Sequence, residues 1–347
     1  MEALNLDWSS GQYYKPIEQF EAAFANRVGR KYALMTPNCT IAIELALRAR
    51  GIKKDNLVAV PNNTWIGSTA GIHTVGASQV VCDVGQRSWC LEVTNLIEAD
   101  YRLNAVVVVD LFGQMPDYNS LLNYTEKHGI FVIEDAAEAL GSTYNGKPAG
   151  SFGDVSVFSF HRSKTIACGE GGMVVTDNDK LYEMMWTLRD QGRPKSCETY
   201  KNEYLAHKFI PSNMQAALGL SQLMRLDSIL EHKRRVFRWY HKHINMDDKS
   251  LTPDIPGVSN SYWVPILVFK DNTINTDFVI NTLAKNGIYT RRCFYQLSEL
   301  PAYSRIGFFR NNTPNCKWLQ DHAINLPSPM DLTEEDVERI AGVINIL

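Results

Sequence analysis

Long apolar runs are missing from this 347-residue chain, and so is any excess of one charge. Lys and Arg number 35 against 38 Asp and Glu, a formal net charge of −3, which provides no basic face for nucleic acid. No stretch approaches the ~20 consecutive apolar residues of a membrane span. The opening MEALNLDWSSGQ lacks the basic and apolar regions of a secretory leader. A cytoplasmic protein with no nucleic-acid or membrane partner is the expectation. The seven cysteines, at 39, 82, 90, 168, 197, 293 and 316, are odd in number and widely spaced. With no CxxC and no Cys/His cluster they outline neither a zinc site nor a disulfide framework, so reduced thiols are expected. The one dense basic stretch, His232-Lys233-Arg234-Arg235, reads as the solvated face of a helix. A GxGxxG turn is also missing: Thr36–Thr40, after the first strand, has none, which does not fit a plain dinucleotide-binding protein.

What the chain does contain is ordinary globular composition, 45% apolar and 21% charged, with enough length for two domains. Short β-branched runs recur at Tyr32–Met35, Leu57–Val60, Ser78–Cys82, Ala105–Val109, Ile130–Ile133, Val155–Phe160 and Met173–Thr176. Several are apolar throughout, as in strands covered on both faces. Helical stretches lie between them, among them Thr40–Ala49 and Asn119–His128. This alternation predicts an α/β fold with a mainly parallel, doubly wound sheet whose ligand sits beyond the strand carboxyl ends. After residue 210 the pattern changes. Ser212 is a candidate N-cap, and Leu223, Leu226, Leu230 and Phe237 keep helical spacing along one long helix. A strand candidate, Tyr262–Phe269, then falls in a smaller α+β region. The expected division is 1–230 for a large domain and 231–347 for a small C-terminal one.

Four features at strand ends could carry chemistry. Phe131-Val132-Ile133-Glu134-Asp135 ends a buried strand in carboxylates, and alternation sends Glu134 and Asp135 to opposite faces. A buried carboxylate needs a partner, and Asp135 suits an organic cation, although an ion pair with Lys or Arg is the commoner fate of a lone Asp. Thr36-Pro37-Asn38-Cys39-Thr40 opens a helix, whose free amides and Thr40 hydroxyl can hold an anion. Trp65, just past a strand, can lie over an aromatic ligand, where a core position is the default. Ser159 and Lys164 stand at or beyond another strand end, and a single such lysine is usually only solvated. Together the four suit pyridoxal 5′-phosphate: phosphate at the helix N-terminus, ring against Trp65, ring nitrogen on Asp135 and aldehyde carbon on Lys164.

The ordered blocks TWIGS (64–68), DLFGQMPD (110–117), IEDAAEALGSTYNGKPAGSFGD (133–154), FSFHRSK (158–164), GEGGMVVTDN (169–178) and SNMQAALGLSQL (212–223) run through the chain. In these the sequence resembles the DegT/DnrJ/StrS sugar-nucleotide aminotransferases, within fold type I of the pyridoxal-phosphate enzymes (the aspartate aminotransferase-like fold). The resemblance runs from Trp8 to the C-terminus. It is greatest to the 4-aminotransferases, through the GEGG turn, Ser261-Tyr262-Trp263 and the Arg291–Tyr295 segment. It implies a mainly parallel seven-stranded sheet domain, a smaller α+β domain, and a homodimer with shared sites in which Asn213 lies near the partner's cofactor. It also implies that Lys164 carries the cofactor and moves the proton, and that Glu138 bonds near the cofactor's phenolic oxygen. By the same resemblance Ser159 would contact the phosphate with Cys39 and Thr40, and Trp8, Arg291 and Tyr295 would meet substrate. Glutamate is the implied donor and a nucleotide-linked 4-keto-6-deoxyhexose the acceptor, giving a 4-amino sugar of perosamine or viosamine type. Transfer at sugar C3, or a non-catalytic regulator on the same scaffold, are the alternatives. The chain departs from the pattern at Pro37 and Cys39 in the phosphate turn, at Ile210, and at Gln296 and Ser298 where substrate contacts are expected.

Overall fold

The computed structural model describes residues 14–195, 201–306 and 308–347. Seven five-residue strands form the scaffold: β1 (Tyr32–Thr36), β2 (Leu57–Pro61), β3 (Ser78–Cys82), β4 (Ala105–Val109), β5 (Phe131–Asp135), β6 (Val155–Ser159) and β7 (Gly172–Thr176). They lie in the order β1-β7-β6-β5-β4-β2-β3. All are parallel except β7, which runs antiparallel to both β1 and β6. Each expected strand is present, and among the described residues the sheet gains an eighth, Phe309–Arg310, parallel to β3. Two residues carry no periodicity, so this addition had no sequence signal. Along β4, Val106 and Val108 pack in one apolar core while Ala105, Val107 and Val109 pack in another on the opposite face. This is why the strand reads as an unbroken valine run.

The helices cover both faces. Helix α1 (Lys15–Val28) ends at Gly29 in the left-handed region, φ 69°, and buries Ile17, Phe20, Phe24 and Val28. Phe24 meets the rings of Phe158 and Phe160 edge-on, 4.8 and 5.3 Å between centroids; full burial of each such ring is worth about 1.5–3 kcal/mol. Helix α2 (Cys39–Arg50) is capped by Asn38, whose side chain accepts from the Ile41 amide, and its stretch Ala42–Leu47 is wholly buried.

The long helix expected after Ser212 is two helices, Asn213–Leu223 and Leu226–His243. Ser212 caps the first, in a reciprocal box with Gln215. The chain tightens at the junction, where the Arg225 amide donates to the Gln222 carbonyl three residues back. One short turn hardly disturbs the spacing of the leucines, so periodicity alone could not reveal the break. The basic stretch at 232–235 is a solvated face only in part, through the exposed Arg235. His232 and Lys233 are buried, and His232, Lys233 and Tyr240 hold the carbonyls of Pro329, Ser328 and Pro327. Burial without an acidic neighbour pulls the Lys233 ammonium down to about 8.

Leu226 and Leu230 belong to the large core, whereas Val236 and Tyr240 pack in a third core with Leu267, Ile324 and Val337. A four-stranded antiparallel sheet in the order Lys249–Leu251, Ile266–Phe269, Ala323–Asn325, Arg291–Arg292 backs that core. The strand candidate 262–269 is shortened to Ile266–Phe269, because Tyr262 adopts a left-handed backbone (φ 51°). Among the described residues no helix is long and apolar enough to cross a membrane.

Candidate active site

Parallel strands deliver their last residues to one edge of the sheet, and a cavity of about 380 Å³ opens there. Cys39, Thr40, Trp65, Asp135, Glu138, Ser159, Lys164 and Arg291 all line it. Of the remaining sequence candidates, Tyr295 is exposed and Asn213 opens the helix Asn213–Leu223; neither lines the cavity. Trp8 lies outside the described residues.

Asp135 is 3% exposed at the end of β5. Its Oδ2 accepts from the Ser68 hydroxyl at 2.7 Å, and its Oδ1 accepts from the Ala137 amide at 3.2 Å and from the Cys39 thiol at 3.8 Å. Every donor in contact with it is neutral. Burial pushes its carboxyl up, and the bonds from Ser68 and Ala137 work against that rise. The same burial, with the neighbouring Asp135 charge, holds the Cys39 thiol well above its ordinary value. A buried carboxylate without a contacting cation suits a protonated ring nitrogen. Glu134 points the other way, as alternation requires, and accepts from the amides of Gly150, Phe152 and Gly153 and the Ser156 hydroxyl.

Lys164 sits in the loop joining β6 to β7. The loop is pinned across its base by bonds from the Phe160 amide to Gly171 O, Arg162 to Gly169 O and Cys168 to Phe160 O. Its Nζ donates to Glu138 Oε1 at 3.0 Å and lies 4.0 Å from the centre of the Trp263 ring. The other Glu138 oxygen accepts from the Phe112 amide at 3.0 Å. Trp263 is itself fixed, its indole N–H donating to Ser163 O at 2.5 Å. Lys164 is thus not a solvated loop lysine.

At the N-terminus of α2, Asn38 satisfies the Ile41 and Ala42 amides, which leaves those of Cys39 and Thr40 ahead of the first helical bonds. Two glycines keep this end open. A Cβ on Gly67 would stand 2.9 Å from the Thr40 hydroxyl oxygen, and one on Gly172 would stand 2.7 Å from the Cys39 amide nitrogen. Trp65 is 61% exposed, which rules out a core position and leaves its ring at the cavity mouth, 6.0 Å from that of Phe294. The donor set therefore fits pyridoxal phosphate: an amide-and-hydroxyl anion cradle, an aromatic plate, a buried carboxylate and a lysine. Among the described residues no cluster of His, Cys, Asp and Glu could hold a metal ion.

Residues 1–345 match the DegT/DnrJ/EryC1/StrS aminotransferase family. The chain belongs to that family. Members of the DegT family are pyridoxal-phosphate-dependent, and the chain is a sugar aminotransferase with that cofactor. It is 33% identical over 338 residues to the GDP-perosamine synthase of Vibrio cholerae, covering 97% of this chain and 91% of that one. To the GDP-perosamine synthase of Caulobacter vibrioides it is 34% identical over 355 residues, covering 99% and 93%. Among solved structures, a DegT family aminotransferase from Brucella abortus superposes with a TM-score of 0.86 at 26% identity, over 95% of this chain and 89% of that one. The 3-amino-5-hydroxybenzoic acid synthase shares the fold, with a TM-score of 0.90 at 23% identity over 96% and 90%.

Several neighbours in this DegT-family site escaped sequence reading. Ser68 stands within TWIGS and Trp263 within Ser261-Tyr262-Trp263, and both could have been tried as partners because they fall in marker blocks. Phe294, in the Arg291–Tyr295 segment, and His161, in FSFHRSK, lay in marker blocks as well and were not singled out. The departures at Gln296 and Ser298 prove to face inward. Asn62, fully buried at the end of β2, donates to Gln296 Oε1 at 3.0 Å, to Ser298 Oγ at 2.9 Å and to Thr313 Oγ1 at 2.9 Å. Ile210 packs against the large core. Six of the seven cysteines lie among the described residues, and all six are free.

Proposed function

We propose that the protein converts a nucleotide-linked 4-keto-6-deoxyhexose into the 4-amino-4,6-dideoxyhexose, of perosamine or viosamine type, with glutamate as amino donor. The observation that carries this reading is one cavity lined by Lys164, Glu138 and Asp135, in a chain about one-third identical to GDP-perosamine synthases over nearly its whole length. Across the two halves of the reaction the donor's amino group moves to sugar C4, the sugar's keto oxygen leaves as water, and one water supplies the keto oxygen of the released ketoacid.

Cys39, Thr40 and Ser159 would hold the cofactor's phosphate, Trp65 would cover its ring, and Asp135 would keep a proton on the ring nitrogen. When bound, pyridoxal phosphate supplies an electron-poor ring that accepts the electron pair left at the reacting carbon. The chain's own work is proton transfer and positioning. Lys164 Nζ takes the proton from the donor Cα and later delivers one to sugar C4, acting as base and then acid. Glu138, 3.0 Å from Nζ, and the face of Trp263 seat the amine in its charged form between transfers. Arg291 at the cavity wall offers a cation to the donor carboxylate or to the nucleotide phosphates. Tyr295, exposed on the same segment, and Trp8 are assigned to the nucleotide sugar.

A homodimer with shared sites completes the reading. The stretch 211–224 carries no charged residue, and Met214, Leu218 and Met224 are exposed on it. Its first turn also touches the cavity's edge, because the Gln215 side chain donates to Glu170 O at 2.8 Å and Glu170 lines the cavity. In this reading Asn213, beside that contact, serves the partner's cofactor.

Lys164→Ala tests the assignment. The variant should keep the wild-type circular dichroism spectrum, lose the visible absorbance of covalently held cofactor, and lose turnover. Substantial transamination by this variant would refute the role of Lys164. Supplying candidate keto-sugar nucleotides with glutamate, and reading the position of the new amine by NMR, separates C4 from C3 transfer.

A further inference from the structure

A second cleft, of about 500 Å³, lies on the helix Leu226–His243 and shares no lining residue with the cavity of Lys164. Arg234, Arg238 and His241 recur on one helical face at i, i+4 and i+7 and line it together. Two of the Arg234 nitrogens are occupied, since Nη2 donates to Gly141 O at 3.2 Å and Nε to Asn260 O at 3.4 Å, and these bonds fix its head in the cleft. Arg238 and His241 have no hydrogen-bonded or ionic partner among the described residues. Lys242, also on the lining, is committed to Glu334 at 2.7 Å. Asp254, exposed, is the only carboxylate on the lining.

The floor is built rather than incidental. Tyr262 stacks on Phe237 with centroids 3.8 Å apart and planes 13° from parallel. To do so it takes a left-handed backbone, φ 51°, uncommon for an aromatic residue, and Asn260 Oδ1 accepts from its amide at 2.6 Å. Burial, with Asp254 nearby, pushes the Tyr262 phenol up to about 12, so the hydroxyl keeps its proton and can donate. Strained backbone holding an aromatic donor beneath the unpaired Arg238 guanidinium and His241 imidazole is an arrangement that an anionic ligand would stabilise.

We propose that this cleft is an anion site, separate from the cofactor cavity, that binds a diphosphate group through Arg238, His241 and the fixed Arg234. The diphosphate could be free pyrophosphate or part of a nucleoside diphosphate, and the chemistry of recognition is common to both. The site stands whether or not the sugar specificity proposed above is right.

The test is titration calorimetry of the cofactor-loaded protein with inorganic pyrophosphate, at low and moderate salt, on the wild type, Arg238→Glu with His241→Glu, and Lys164→Ala. Saturable binding that weakens with salt is expected for the wild type and for Lys164→Ala. Losing two charge-assisted contacts should weaken it about tenfold or more in the double variant, with cofactor absorbance and turnover unchanged. Displacement of pyrophosphate by a nucleoside diphosphate at equal or lower concentration would assign the site to nucleotides; failure to displace would assign it to the free diphosphate. No saturable binding to the wild type, or unchanged affinity in the double variant, would overturn the proposal.

Discussion

Ser68→Ala isolates the support of Asp135 from Asp135 itself. The hydroxyl is buried, donates to the carboxylate at 2.7 Å, and bonds to the Thr64 hydroxyl at 3.0 Å. Removing it leaves the carboxylate with the Ala137 amide at 3.2 Å and the Cys39 thiol at 3.8 Å, both longer contacts. A hydrogen bond to a charged group contributes about 1.5–3 kcal/mol. If Asp135 holds the ring nitrogen, most of that loss falls on the loaded state, and affinity for pyridoxal phosphate should drop about 10–100-fold. The acid dependence should move as well. The Ser68 bond lowers a carboxyl that burial raises, so its loss raises the carboxyl further, and cofactor retention should fail at a higher pH than in the wild type. Equilibrium dialysis of the cofactor across an acid pH series reads both effects, and Ser68→Thr, which restores a hydroxyl, should recover part of each. Wild-type affinity and an unmoved acid limb in Ser68→Ala would refute the assignment of Asp135.

Gly172→Ala places a Cβ 2.5 Å from the Asn38 carbonyl carbon and 2.7 Å from the Cys39 amide nitrogen, both backbone atoms. It should cost about 1–3 kcal/mol in urea unfolding and weaken cofactor binding. Lys233, drawn from 10.5 to about 8 by burial, makes stability rise with pH between those values, because the unfolded chain holds the proton there and the folded chain does not. The total is about 3 kcal/mol, and Lys233→Met should flatten that slope in denaturant titrations from pH 7 to 11. Leu218→Glu, on the exposed uncharged stretch, should shift sedimentation toward the monomer and lower turnover in parallel; an unchanged sedimentation coefficient would remove this face from the interface.

The parts of this molecule legible in its sequence are those governed by short-range pattern. Strands buried on both faces announce themselves as valine runs, and alternation along β5 separated Glu134, which holds a loop, from Asp135, which faces the cavity. The Ser212 cap was likewise readable, whereas the Asn38 cap was not singled out. What stayed hidden depends on partners far along the chain. Asn62 meets Gln296 across 234 positions, so two residues that looked like altered substrate contacts are instead internal struts. The His232-Lys233 pair gave no sign that it would hold a proline-flanked loop, because composition records charge and not what a helix face meets. The left-handed Tyr262 is hidden for the same reason: an aromatic is an unlikely occupant of that backbone region, and only its stack on Phe237 accounts for it.

The pinned base of the loop between β6 and β7 limits how the lysine can travel. With the backbone tied at Phe160, Arg162 and Cys168, Nζ explores only the sphere swept by its own four methylenes. The alternation proposed for it, between holding the cofactor and acting as a free amine, would then need only rotation about side-chain bonds and no rebuilding of the main chain. The same economy makes the loop's length inflexible: a single inserted residue between 161 and 168 would carry the amine out of register with every atom it must reach, at little expense to the fold.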